Sequence, residues 1–271
     1  MIESGLKKIT PDPSDYSLVH TYGAIADDAQ GLPAQFSIYN GEVIPDQRKP
    51  DIRFTPALRP LPYGCTGESQ SFIGGLQDNA LYRPDDLYDN TKPFVDGEGR
   101  DMRDSLQTTI DRGYKSADGT LGNKRKRYFN CYGSGKIDDF DAARIGVWIN
   151  QAERRAVTVG LWWYPEFDKT DDGTVPLPSF NTNKASLHNV IITGWRTTNG
   201  VEEVEVISWQ GMKYGKKGLC YIPRPIYNAL MEQPWTASFT LTKLGPEVPV
   251  VLGAQVWIDH LVYWIRNLFR V

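Results

Sequence analysis

The hydrophobic period changes once along this chain, and that switch limits the folds open to it. Up to about residue 153 the apolar residues recur at helical spacing; from residue 156 they alternate or run together as in strands. Phe72, Ile73, Leu76 and Leu81 follow Cys65 at near-helical intervals, so the spacing predicts a helix over 65–81. Met102, Leu106 and Ile110 predict a second over 100–113, which Gly113 would stop. Phe140, Ala143, Ile145 and Trp148 predict a third over 138–153, capped by Asp138 or Asp139. AVTVGLWWY (156–164), NVIITGW (189–195), VEEVEVISW (201–209), LCYIP (219–223) and ASFTLTKL (237–244) then read as strands, with a turn at Asn199-Gly200. Helices first and strands later predict an α+β chain with two unlike halves.

The flanks read differently. Residues 1–49 are rich in Pro, Gly and Asp and predict an extended arm, either a structural lead-in or an inhibitory propeptide-like segment. In residues 253–271, Trp257, Ile258, Leu261, Trp264, Ile265 and Leu268 form one stripe, while Asp259, Arg266 and Arg270 lie off it. That pattern predicts an amphipathic helix that docks on its own domain, on another protein subunit, or in a membrane interface.

Composition narrows the function classes. With 271 residues, 40% of them hydrophobic, the chain can bury one large core or two packed subdomains. A formal net charge of −3 gives no electrostatic footprint for nucleic acid, so no nucleic-acid partner is expected. The one basic run, Lys124 to Arg127, is expected in a solvated loop, with a small-anion contact as the lesser reading. Three cysteines, Cys65, Cys131 and Cys220, are no disulfide framework, and without a CxxC pair or dense His/Cys cluster no metal or cofactor is expected. No secretory leader is read in the N-terminal residues, and no run of apolar residues is long enough to span a bilayer.

Two residues have the chemistry of a nucleophile and a base. A cysteine at a helix N-terminus near an imidazole has a lowered pKa, because the backbone dipoles and a His⁺ both favour the thiolate. Cys65 stands where the first helix begins, after a Pro62-Tyr63-Gly64 turn. Of the three histidines, His20 lies in the arm and His260 in the tail, while His188 opens a predicted strand. A buried structural thiol and a structural histidine are the alternative readings of the same two residues.

Read in order, several segments resemble the papain-like cysteine peptidases, especially their bacterial and phage-encoded branch. Pro50-Asp51-Ile52-Arg53 resembles the "xDLR" start of the mature domain, and Tyr63 to Ser69 resembles the "GSCTGNA" nucleophile motif. Asp96 to Gly113 is similar to the family's "DxG" helix segment, and Ile137 to Phe167 to its next helix-strand pair. Leu187 to Trp195 resembles "GHAVLIVGY", and Ile207-Ser208-Trp209 with Gly211, Tyr214, Gly215 and Gly218 resembles "NSWGxxWGxxG". Tyr221-Ile222-Pro223 resembles the closing "GYxxMP", so the likeness covers about residues 50–235.

The resemblance implies a two-lobed α+β fold, with a helical lobe (about 50–135) and an antiparallel β-barrel-like lobe (about 136–245). The arm (1–49) precedes it and the amphipathic helix (246–271) follows. It implies Cys65 as nucleophile, His188 as general base and Trp209 as a shield for the histidine's partner. Two positions depart from the pattern. Ile207 stands where the family has the Asn that orients the histidine, and an isoleucine cannot accept from a ring N–H. Arg59 stands six positions before Cys65, where the family has its oxyanion-hole Gln. Leu187 also replaces the usual glycine before the histidine, Gln210 is an extra residue, and Tyr214 replaces a tryptophan. The implied function is a papain-like cysteine peptidase or related thiol hydrolase acting on a peptide or protein. The alternative is a catalytically degenerate papain-fold structural or binding protein, for example a phage particle component. The corresponding locations are the cytoplasm or an assembled particle.

Overall fold

The structure, a computed structural model, describes residues 32–38, 61, 63–78, 80–93, 99–133, 137–148, 156–170, 173–181, 185–207, 214–216 and 218–238. The arm apart from 32–38, Arg59, Trp209 and the predicted C-terminal helix lie outside these residues.

Helices come first. They are α1 (Cys65–Asp78), α2 (Pro84–Asn90), α3 (Met102–Asp111) and α4 (Asp139–Trp148), with a late α5 (Arg224–Leu230). The strands are β1 (Phe36–Ser37), β2 (Arg127–Asn130), β3 (Val157–Trp163), β4 (Ser186–Thr198), β5 (Val201–Ile207), β6 (Leu219–Pro223) and β7 (Met231–Ser238). The sheet order is β2-β7-β3-β4-β5-β6, every pair antiparallel, with β1 joining β4. This mixed helix and antiparallel-sheet architecture is the expected one.

Local chemistry accounts for the helix boundaries. Asp101 caps α3, its Oδ1 accepting from the Arg103 and Asp104 amides at 2.7 and 3.2 Å. Asp138 does the same for α4, accepting from the Asp141 amide at 2.9 Å. Ahead of α1, the Gly64 amide donates to the Leu61 carbonyl at 3.0 Å and closes a turn. A Cβ on Gly64 would lie 2.5 Å from the Leu61 Cβ, so the turn that delivers Cys65 needs glycine there.

Two expectations change. The 237–244 strand begins earlier, at Met231, because α5 ends at Leu230 and hands directly into β7. The third predicted helix is described to Trp148, and residues 149–153 lie outside the described residues. The basic run is solvated at Lys124, Lys126 and Arg127, the last of which opens β2, but Arg125 is 1% exposed. Arg125 is drawn inside by Asp78 at the end of α1, with which it pairs at 3.2 Å. α2 was not expected from periodicity, although Pro84 at its start and Asp85 and Asp86 in its first turn are ordinary start signals.

The main core lies between α4, α5 and the sheet and includes Phe129, Phe140, Val159, Leu161, Val190, Ile192, Val206 and Tyr227. On the side of α1 and α3, a smaller cluster joins Cys65, Met102, Leu106 and Leu187, with Tyr128 and Trp162 partly buried against it. α1 therefore packs its first turn against β4, where the candidate residues stand.

Candidate active site

Cys65 is the first residue of α1 and is 4% exposed. Its position at the helix start gives the thiol the favourable end of the helix dipole. The other two cysteines lack that setting. Cys131 and Cys220 are fully buried, and burial pushes the Cys220 thiol up to about 12.

His188 sits on β4, opposite Leu161 of β3, and is wholly buried. Its ring meets Trp163 edge-on at 5.4 Å between centroids, and Trp163 in turn meets Phe167 at 5.4 Å and Tyr214 at 6.0 Å. Burial in this setting pushes the imidazole down to about 3, so it is neutral at neutral pH.

Two contacts place the first turn of α1 on either side of His188 in sequence. Leu187 packs in the Cys65 cluster, and the Ser69 hydroxyl, one turn on from Cys65, donates to the Asn189 carbonyl at 3.3 Å. Side chains alternate across a strand. Leu187 and Asn189 therefore face α1, while His188 lies with Trp163. Ile207 is 1% exposed, paired across from Ile191 on one side and Leu219 on the other. It supplies no hydrogen-bond acceptor. Arg59 and Trp209 lie outside the described residues.

Periodicity singled out neither Glu68 nor Asn189. Glu68 lies three residues after Cys65, hence on the same face of α1. Burial raises its carboxyl to about 7. Glu68 therefore destabilises the fold as it ionises. Its folded pKa is above the ordinary 4.5, so the favourable contribution is present below pH 4.5 and is lost as pH rises through 7. Glu68→Gln is expected to raise stability by up to about 3 kcal/mol at pH 8 and to change little at pH 4. Thermal melts of both proteins at the two pH values check this; equal shifts at pH 4 and pH 8 contradict it.

The fold has close counterparts among solved structures. Xylellain, a cysteine protease from Xylella fastidiosa, superposes with a TM-score of 0.61 at 15% identity, covering 87% of this chain and 96% of its own. Procathepsin B S9 from Trypanosoma congolense gives 0.59 at 10% identity, covering 86% of each chain. Bromelain from Ananas comosus, in complex with the E64 inhibitor, gives 0.52 at 13% identity, covering 77% of this chain and all of its own. The fold is papain-like. No family model matches the sequence, and no curated protein matches it. The papain-like architecture is thus carried by backbone topology at identities far below those of close relatives.

Proposed function

We propose that the chain is a papain-type thiol hydrolase acting on peptide bonds, with Cys65 as nucleophile and His188 as base. One observation carries the reading. The first turn of α1 is fixed to β4 at both neighbours of His188, through Leu187 in the Cys65 cluster and through the Ser69–Asn189 bond. In this reading the thiol and the imidazole come together at the N-terminal end of β4, the His188 ring turning from its place beside Trp163 toward the first turn of α1.

The proposed reaction follows from the burial of that pair. A lone imidazolium in this apolar setting is disfavoured, as the lowered His188 pKa expresses. Moving the thiol proton from Cys65 to His188 keeps the net charge of the pair at zero, so proton transfer accompanies attack. The sulfur bonds to the carbonyl carbon, and the N-terminal amides of α1 support the oxyanion. The C–N bond then breaks, with His188 returning its proton to the leaving amine. Water, deprotonated by His188, cleaves the resulting thioester and restores the thiol. Ile207 leaves the imidazole without the family's orienting amide, which makes the proposed enzyme slow. The experiment is hydrolysis of a mixed peptide pool by the full chain, with Cys65→Ala as the control.

A second reading has its own observations. The strand alternation that turns His188 toward Trp163, together with the buried Ile207, suits a papain fold kept for binding or assembly, for example in a phage particle. A peptide pool left intact by the wild-type chain selects this reading.

A further inference from the structure

One edge of β4 changes partner along its length. β5 covers the other edge from Ile191 to Thr198. On the edge shared with β3, pairing runs only as far as Val157 opposite Ile192. Beyond that point residues 32–38 take over. The Ile38 amide donates to the Thr193 carbonyl at 2.9 Å, and Ser37 and Phe36 stand opposite Gly194 and Trp195. The change falls at an irregularity in the β4–β5 register between Ile192 and Gly194, where a bulge re-aims the strand.

The folded lobe supplies a side-chain seat at each of these positions. Phe36 meets Trp148 of α4 edge-on at 5.0 Å and Trp195 at 5.1 Å between centroids. The Ser37 hydroxyl donates to Glu205 Oε1 at 2.8 Å, which also accepts from the Thr193 hydroxyl at 2.8 Å. Glu205 is 7% exposed, and a carboxylate buried that far needs donors. Trp195 Nε1 donates to the Pro33 carbonyl at 2.8 Å, and the Thr197 hydroxyl to the Ala34 carbonyl at 3.2 Å. Gly194 permits the close approach, because a Cβ there would lie 2.8 Å from Ser37 Cα and closer still to the Phe36 carbonyl oxygen. The segment that fills these seats lies near the surface. Ala34 and Gln35 are exposed, Leu32, Pro33, Phe36 and Ser37 are half-buried, and Ile38 alone is buried. A segment with so little buried surface opens more readily than the strands beneath it.

We infer that the Thr193–Thr198 edge of β4 is a second peptide-binding site, which takes an extended strand carrying an aromatic residue followed by a serine, and which the chain's own residues 32–38 fill as a displaceable ligand. The site lies at the opposite end of β4 from His188 and is independent of the hydrolase reading. Strands added at a sheet edge bind through main-chain hydrogen bonds, while pockets for alternate side chains select the sequence. Here the aromatic ring enters the angle between Trp148 and Trp195, and the hydroxyl meets the Glu205 carboxylate. An acidic residue at the serine position places two like charges together and is rejected.

The test uses full-length protein and a fluorescein-labelled heptapeptide of residues 32–38. A chain carrying Phe36→Ala and Ser37→Ala is expected to bind the heptapeptide at least about tenfold more tightly than wild type, whose own segment competes intramolecularly. Replacing the peptide's phenylalanine by alanine is expected to weaken binding at least about tenfold. Adding Gly194→Ala to the receiving chain is expected to abolish binding. Native-state hydrogen exchange on the wild-type chain gives an independent reading, whatever the fate of the variants. The Ile38 amide is expected to exchange by local opening, at least about tenfold faster than amides in the middle of β4. Equal binding to both chains, binding to neither, or binding that survives Gly194→Ala overturns the proposal. So does an Ile38 amide that exchanges only with global unfolding.

Discussion

Cys65→Ala is expected to lower peptide hydrolysis by at least about 10⁴-fold, because the substitution removes the sulfur proposed to form the acyl intermediate. His188→Gln is expected to lose a comparable factor, and the double variant little more than either alone. Residues that act as one unit give losses that do not add. The loss would not come from unfolding. Cys65 belongs to a small cluster with Met102, Leu106 and Leu187, and trimming the sulfur there removes little buried volume. Steady-state hydrolysis of a peptide pool, alongside thermal melts of each variant, checks both halves of the expectation. Independent, multiplying losses for Cys65 and His188 would mean that the two residues do not share a proton.

The second large effect concerns the basic run. Arg125→Met is expected to destabilise the protein by about 3–5 kcal/mol, because it breaks a buried ion pair and leaves the other charge behind. The side chains of Arg125 and Asp78 are 0% and 4% exposed. The guanidinium reaches both carboxylate oxygens of Asp78, at 3.4 and 3.2 Å, the Gly74 carbonyl at 3.2 Å and the Asn123 carbonyl at 3.2 Å. It also lies 4.8 Å over the Tyr114 ring. Without it, Asp78 keeps the Tyr82 hydroxyl at 2.6 Å and loses its counter-charge. Adding Asp78→Leu to Arg125→Met is expected to recover much of the loss, since no stranded carboxylate then remains. Urea denaturation of the three proteins reads the result. A loss below about 1 kcal/mol for the single variant would place this pair among ordinary surface salt bridges.

Arg125 also illustrates where sequence reasoning stops. A run of four basic residues signals solvent, and only the fold brings Asp78, 47 positions earlier, beside one of them. The start of α1 was legible because a turn, a glycine and small polar residues precede a helical apolar stripe. The strands from Val157 to Ile207 were legible because their β-branched alternation is strong. α2 and α5 were not, since seven residues carry too few apolar positions to show a period. The start of the last strand was hidden by Pro234, which reads as a break in the middle of a strand. It is tolerated because its carbonyl still accepts, from the Cys131 amide at 2.8 Å.

The candidate site was legible to a different degree. Cys65 and His188 stood out by residue type and by motif order. Asn189 was visible only as a polar residue in a position where the resembling motif has alanine, and nothing in one sequence says that Thr158 holds its Oδ1 while its Nδ2 has no partner among the described residues. Glu68 looks like an ordinary first-turn acid. Its raised pKa arises from the burial of the α1 N-terminus, which no local pattern records.

The pairing of Cys65 with His188 is tested most directly by alkylation. Iodoacetamide is applied to the folded wild-type chain and to His188→Gln between pH 5 and 9, and the adduct on Cys65 is quantified by peptide mass spectrometry. The account predicts that Cys65 alone is labelled, with an apparent pKa below the ordinary thiol value of about 8.5. It also predicts a rate at pH 7 that falls at least about tenfold in His188→Gln. Labelling of Cys65 at the same rate in both proteins, rising only as an ordinary thiol ionises, contradicts it.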